Sequence, residues 1–430
     1  MAVKIRLEGV TKIYGGANTQ RALKLLKSGA SKDEIFSKTN CVVGLSDVNF
    51  EVEEGEIFVV MGLSGSGKST LIRCVNRLLE PTSGKIIVND QDVMKMNKKE
   101  LRQIRRKSMA MVFQHFALFP HKTVIYNASY GLTIRGEKEE DARERALEAL
   151  AMVGLRDWAD HYPENLSGGM QQRVGLARGL ATDADILLMD EAFSALDPLI
   201  RREMQDELVD LQERLQKTIL FITHDLGEAL RVGDRIAIMR DGYVVQIGTP
   251  EEIVTKPSNE YVADFIADVD SGRVLTAEFI MSPAEPVSAK KHLVNEALKR
   301  MDRLDSDHLY VTNKDKGVDG LLHREDLMAL YAQGEDKFDS VIKGDYPRAS
   351  LNSRLNELYP LSTNGVPIAI IDENGRLDGV VYPLHIFEAL TKNDPVLDTN
   401  TSGSNGVHSS NGHHVEEIER KVQPNTESGD

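Results

Sequence analysis

The sequence predicts an α/β domain built on a central, partly parallel sheet, followed by a smaller α+β module and a polar tail. Three observations carry that prediction. An apolar run at 57–61 leads through a glycine-rich loop into a helix-forming stretch at 71–79, the strand–loop–helix order that a phosphate-binding loop requires. Strand-like and helix-like segments then alternate to about residue 268, which argues for a sheet with parallel strands. From about residue 275 a strand–turn–Asp-Gly–strand–helix pattern occurs twice, about 59 residues apart when Gly320 is set against Gly379.

In chain order the first candidate is Tyr14, an aromatic residue in a glycine-flanked turn. Two short amphipathic helices follow, broken at Gly29. Ser31 is placed to cap the second, and Glu34 to complete a capping box. The loop after residue 61 comprises Gly62, Leu63, Ser64, Gly65, Ser66, Gly67, Lys68, Ser69 and Thr70, and it fits G-x-x-x-x-G-K-[ST]. Its glycines let the backbone wrap phosphates, with N–H groups pointing inward at a helix N-terminus. Lys68 supplies positive charge to the β- and γ-phosphates of ATP, and Ser69 a hydroxyl ligand for Mg²⁺. An ordinary glycine-rich turn is the alternative; the Lys-Ser pair and the correct flanks speak against it.

Gln114 comes next, behind Val112 and Phe113. Leu166, Ser167, Gly168, Gly169 and Met170 open a helix expected over 171–180, a second anion-favouring terminus. In isolation such a turn merely caps a helix. An apolar strand at 186–189 ends on Asp190 and Glu191. A carboxylate at a strand tip beside phosphates suits the holding of Mg²⁺. Glu191 suits a general base for the attacking water. Standing alone, the pair would equally be an acidic strand end in solvent. Apolar residues Ile200, Met204, Leu208, Leu211 and Leu215 give a helix over 200–216 one buried stripe. His224 ends a strand, where a lone histidine is more often structural; its place after the other motifs singles it out.

These motifs, in this order, resemble the ATP-binding-cassette (ABC) ATPases. The resemblance implies an ABC-type P-loop fold with a helical subdomain, ATP and Mg²⁺ as ligands, and Tyr14 stacked on adenine. It implies that Gln114 contacts Mg²⁺ and the attacking water, that His224 bonds the γ-phosphate, and that Ser194 and Asp197 belong to a loop crossing a dimer interface. Ser167, Gly168, Gly169 and Gln171 would cap ATP held by the partner subunit, so a homodimer is implied. The insert at 17–40, with the runs at 56–70, 176–180 and 186–201, is similar to the glycine betaine/proline importer ATPases, and the likeness covers nearly all of 1–270. In that family two permease subunits and an extracytoplasmic solute-binding protein complete the transporter. His115 and Phe119 depart from the family pattern beside Gln114.

The repeated unit resembles a tandem pair of CBS (cystathionine-β-synthase-type) modules, which osmoregulated importers append to this ATPase. The expected boundaries are 1–270 for the ATPase, 275–391 for the pair (about 275–332 and 335–391) and 392–430 for a disordered tail. A single α+β domain with two unrelated hairpins is the other reading. By resemblance the pair would take an adenine-type nucleotide or face an anionic membrane. Lys290, Lys291, Lys299, Arg300 and Arg303 would suit such a membrane-facing patch, but a solvated face is the favoured reading. The tail histidines His408, His413 and His414 read as incidental, and the acidic stretch at 416–419 as a candidate electrostatic modulator.

Composition narrows the rest. A net charge of −15 argues against general nucleic-acid binding, which needs a basic surface. Cys41 and Cys74 lie in separate segments and read as free thiols. No apolar run nears the ~20 residues that span a bilayer, and the opening residues hold no leader-like segment. The expected place is therefore the cytoplasmic face of the inner membrane, peripheral, through a permease. The expected function is ATP hydrolysis that powers import of a compatible solute (glycine betaine, proline or a related quaternary amine), regulated by the C-terminal module. An importer ATPase for an amino acid, polyamine or metal chelate is the first alternative, opposed by the insert and the repeat. A non-transport ABC protein of repair or translation would carry long coiled coils or a second cassette. A vestigial regulatory ATPase is opposed by intact Lys68, Asp190, Glu191 and His224.

Overall fold

The computed structural model describes residues 2–114, 116–267, 269–288, 290 and 292–391. His115, Lys291 and the expected tail at 392–430 lie outside the described residues. Strand β1 (Val3–Tyr14) runs antiparallel to β2 (Val42–Glu53), and the excursion between them folds into α1 (Thr19–Lys27) and α2 (Lys32–Thr39). Ile13, Ala22, Ile35, Cys41 and Val43 form a small apolar cluster that seats these helices on the strands. Ser31 caps α2 by accepting from the Glu34 amide at 3.2 Å. The Glu34 carboxylate, however, bonds Lys38 one turn on instead of reaching back to the Ser31 amide. The expected capping box is thus half formed, because a full charge at i+4 competes with a single backbone N–H.

Strand β3 (Ile57–Met61) enters the buried centre and leads to α3 (Lys68–Val75); β4 (Ser83–Val88) and β5 (Gln91–Asp92) complete an antiparallel sheet of order β2-β1-β4-β5. Helix α4 (Lys98–Lys107) feeds β6 (Met109–Phe113). Helices α5 (Val124–Arg135), α6 (Glu139–Met152) and α7 (Gly168–Ala181) form a layer of their own. There follow β7 (Ile186–Asp190), α8 (Pro198–Leu215), β8 (Thr218–Thr223), α9 (Leu226–Val232), β9 (Arg235–Arg240), β10 (Tyr243–Gly248), α10 (Pro250–Thr255) and α11 (Glu260–Ile266). The helices expected at 71–79, 171–180 and 200–216 start two or three residues early. Gly67, Ser167 and Asp197 hold the N-cap positions, the last two with side chains that accept from Met170 and Ile200 amides.

The main sheet has the order β10-β9-β3-β8-β7-β6, parallel except at the β9–β10 edge. Its central strands are buried without interruption and largely apolar because both faces are covered. Alternate residues serve different cores. Ile57, Val59 and Met61 pack with the helical layer, while Phe58 and Val60 pack with the antiparallel sheet. The order also positions the site. The carboxyl ends of the neighbouring strands β3, β8, β7 and β6 carry, in turn, the glycine-rich loop, His224, Asp190–Glu191 and Gln114.

The C-terminal part begins with α12 (Ala277–Ile280), β11 (Ser282–Pro283), α13 (Val294–Leu304), β12 (His308–Thr312), β13 (Val318–His323) and α14 (Arg324–Ala332). A second set follows: β14 (Arg348–Ala349), α15 (Leu355–Leu358), β15 (Ile368–Ile371), β16 (Leu377–Val381) and α16 (Pro383–Thr391). The hairpins β12–β13 and β15–β16 meet edge to edge through a bridge between Gly317 and Arg376. These positions are equivalent under the repeat spacing, so an approximate two-fold axis passes between them. Tyr310 spans the axis and donates its hydroxyl hydrogen to Pro367 O at 2.5 Å. It lies in an apolar cluster with Leu321, Ala369, Leu377 and Val380. In the basic cluster Arg303 pairs with Glu285 and Arg300 donates to Pro286 O at 2.5 Å, while Lys299 is solvated. Cys41 and Cys74 are free and buried, and burial pushes the Cys74 thiol up to about 12. Among the described residues no helix is long and apolar enough to cross a membrane.

Candidate functional site

The glycine-rich loop turns from β3 into α3 through left-handed backbone at Gly62 and Gly67. A Cβ on Gly62 would stand 2.2 Å from Met239 O, and one on Gly67 2.6 Å from Gly44 O. Only glycine satisfies both the conformation and the space. Leu63, Ser64 and Gly65 form the exposed rim, while Ser66 Oγ is buried beside Gly62 without a hydrogen-bond partner. An orphaned buried hydroxyl in a backbone cradle fits a phosphate oxygen. Lys68 is buried, and its Nζ donates to Gly62 O at 2.8 Å and Leu63 O at 3.1 Å. Burial lowers its pKa, and the charges of Glu191 and Asp190 partly oppose that.

The acidic strand end meets this loop. Asp190 Oδ1 accepts from Ser69 Oγ at 3.1 Å, and its Oδ2 faces Arg73 Nη2 at 3.5 Å. Burial raises the Asp190 pKa, against the pull of Ser69 and Arg73. Ser69 and Asp190 together present hard oxygen donors of the kind Mg²⁺ takes alongside phosphate. Glu191 sits at φ +49, outside the conformations favoured by a residue with a side chain. Its amide is held by Ile222 O at 2.9 Å. Its carboxylate lies 4.0 Å from Lys68 Nζ, 3.1 Å from His224 Nδ1 and 3.4 Å from Gln114 Nε2. Gln114 Nε2 also donates to Ser194 Oγ at 3.0 Å. Lys68, Gln114 and His224 thus converge from separate loops on the Glu191 carboxylate, and Ser194 Oγ ties Gln114 to the Glu191 carbonyl at 2.9 Å.

Tyr14 lies at the rim. Its hydroxyl is 3.0 Å from Thr70 Oγ1, and Lys12 stands over its ring at 5.1 Å. Ser167, Gly168, Gly169 and Gln171 make no hydrogen bond to the carboxylate cluster; Gln171 Nε2 donates to Pro163 O and Leu166 O, and Ser167 Oγ caps α7. Asp197 caps α8, accepting from Ile200 N at 3.2 Å. Phe119, a departure noted in the sequence, packs edge-on against Tyr130 at 4.6 Å between ring centroids.

Three residues with positioning contacts were not singled out in the sequence. Arg178 on α7 donates to Ala117 O at 2.6 Å and Phe116 O at 3.1 Å, and both acceptors sit at positive φ. It pins the turn that follows Gln114 to the helix that begins at Gly168. Arg201 on α8 joins the 194–197 loop to the turn after His224, through Leu196 O at 3.1 Å and Asp225 Oδ2 at 3.2 Å. Arg73 pairs with Asp190 from the helix after the loop. The available signal was helical spacing: Arg201 lies four residues after Asp197, and Arg73 four after Ser69. For Arg178, whose acceptors are backbone carbonyls, the sequence offers none.

Comparison with known proteins agrees with this geometry. The family described as "ABC transporter" matches residues 45–194. The glycine betaine/carnitine transport ATP-binding protein GbuA of Listeria monocytogenes is 49% identical over 392 residues, covering 91% of this chain and 98% of that protein. The glycine betaine transport ATP-binding protein OpuAA of Bacillus subtilis is 48% identical over 94% of this chain and 96% of its own length. The solved structure of cbiO1 from Clostridium perfringens, part of the ABC transporter complex cbiONQ, superposes with a TM-score of 0.50 at 25% identity, over 62% of this chain and 95% of that one. With likeness of this extent around a P-loop, an acidic strand end and a histidine brought together by adjacent strands, the chain belongs to the ABC transporter family and carries its ATPase domain.

Proposed function

We propose that this chain is the ATP-hydrolysing subunit of an importer for a compatible solute, of the glycine betaine, proline or related quaternary amine class. The observation that carries the catalytic part is the convergence of Lys68, Gln114 and His224 on Glu191 beside the Ser69–Asp190 pair. The relatives named for glycine betaine transport support the substrate class.

In this reading Lys68 leaves the carbonyls of Gly62 and Leu63 for the β- and γ-phosphates of ATP, and the loop amides cradle them. Ser69, Asp190 and Gln114 would hold Mg²⁺, which neutralises charge developing on the phosphates. Glu191 takes the proton of the attacking water, and His224 and Gln114 fix the direction of its carboxylate. Tyr14 stacks on adenine. Ser167, Gly168, Gly169 and Gln171 are free of the chain's own carboxylate cluster, which suits capping of ATP on a second copy. Ser194 and Asp197 would lie at that homodimer interface. The dimer would work with two permease subunits and an extracytoplasmic solute-binding protein, at the cytoplasmic face of the membrane.

The domain plan belongs to the same proposal: an ATPase over 1–270 with an insert at 17–40, then a tandem CBS module over 275–391 that regulates turnover. The two-fold relation of the β12–β13 and β15–β16 hairpins supports a paired module. Replacing Glu191 by Gln tests the mechanism. Phosphate release should fall about 10²–10⁴-fold while ATP binding persists in a filter assay. Normal turnover in that variant would remove Glu191 from the role of base.

A further inference from the structure

The nucleotide site occupies the carboxyl edge of the main sheet. A second concave feature lies towards the amino edge, where residues just ahead of β6 and β7 meet the helical layer. There a cavity of about 680 Å³ opens between α4, the end of α5, α6 and the turn at 182–183. Lys99, Arg102, Arg106 and Lys107 line it from α4, Arg135 from α5 and Arg145 from α6. Both of its carboxylates are already engaged. Glu137 accepts from Arg145 Nη1 at 3.0 and 3.1 Å, and Asp183 from Lys217 at 2.7 Å.

The cations on α4 lack a counter-charge, whereas Arg135 feels those of Glu137 and Asp183. Lys99, Arg106 and Lys107 have no carboxylate partner among the described residues, and Arg102 Nε reaches only Lys98 O of its own helix, at 3.3 Å. Arg135 is clamped across the cleft: Nε donates to Arg106 O at 2.5 Å and Nη1 to Thr182 O, which leaves Nη2 buried without an acceptor. A buried guanidinium N–H without a partner is costly. Charges on a solvated helix face usually sit apart on a convex surface. Here they surround one hollow from three elements, in a chain whose net charge is −15. The hollow lies within the roughly 300–1,000 Å³ typical of small-molecule sites.

We propose that this cavity binds a multivalent phosphate-type anion, gripped by the guanidinium groups of Arg102, Arg106 and Arg135, with Lys99 and Lys107 adding charge. A soluble polyphosphorylated molecule and a lipid headgroup present the same chemistry. Convergence of the cations on one small hollow favours such a group over an acidic segment of a partner protein.

The test uses the full-length chain with saturating ADP and no added Mg²⁺. Inorganic tripolyphosphate is titrated in a calorimeter, and in a second arm the chain is sedimented with phosphatidylcholine vesicles with or without phosphatidylglycerol. The double variant Arg102→Ser/Arg106→Ser alters only exposed side chains, so its fold is retained, as circular dichroism will verify. Arg135→Gln is the second variant. Neither touches the nucleotide loop, so displaced ADP cannot mimic the effect. The expected result is tripolyphosphate binding at least ten-fold weaker in both variants. Variant-sensitive binding to phosphatidylglycerol vesicles alone would assign the site to a headgroup. Binding that is absent in the wild type, or unchanged in both variants, overturns the proposal. So does variant-sensitive binding of a glutamate-rich peptide that neither anion displaces.

Discussion

At Asp190 the needs of folding and of the site oppose one another. Burial disfavours its charged form, and Ser69 and Arg73 only partly offset this. Its folded pKa lies above the unfolded one, so the folded state holds the extra proton between the two values, and stability falls as pH rises through that window. Asp190→Asn removes the buried charge. At pH 7 the nucleotide-free chain should gain roughly 0.5–2 kcal/mol in urea denaturation, while stabilisation by MgATP disappears. Residues of this kind were legible in the sequence because their chemistry is local: Lys68 and Ser69 follow the loop, and Asp190 and Glu191 end one strand. Arg178 was not, because its acceptors, the carbonyls of Phe116 and Ala117, reach it only after the chain folds.

Among the elements, helix boundaries followed caps more closely than apolar periodicity. Periodicity placed three helices two or three residues late because Lys68, Gly168 and Pro198 carry no apolar stripe, whereas the residues just before them supply the caps. The most complete cap belongs to α4. Asn97 Oδ1 accepts from the Lys99 and Glu100 amides at 2.8 and 3.1 Å, and Glu100 returns a bond to the Asn97 amide at 2.9 Å. Asn97→Ala should cost about 1 kcal/mol, measurable by chemical denaturation. Because α4 forms one wall of the basic cavity, the same substitution should speed amide exchange at 98–102.

For the molecule as a whole, alternation of strands and helices was readable, but the order β10-β9-β3-β8-β7-β6 was not. Strand order depends on how each crossover returns to the sheet, and nothing local in the sequence encodes that. The repeat was readable because duplicated segments keep their Asp-Gly turns; the pairing of equivalent positions across an axis was not. Tyr310 is a side-chain polar tie across that axis, beside the backbone bridge of Gly317 and Arg376, and burial pushes its hydroxyl pKa up. Tyr310→Phe leaves Pro367 O without this donor and should cost about 1–3 kcal/mol. A lowered thermal transition, with ATP binding to the N-terminal part retained, would place that loss in the C-terminal module.

The two thiols bear on how such changes can be watched. Cys41 and Cys74 are shut inside the fold, and a thiol pushed up to about 12 leaves Cys74 with a thiolate fraction on the order of one in 10⁵ at pH 7. The native chain is therefore chemically silent towards maleimides. It should take up no label over an hour in buffer and two equivalents in denaturant. A cysteine introduced on the surface of α4 or α14 would then report alone, so distances between labelled positions could be followed through a turnover cycle without first removing the natural thiols.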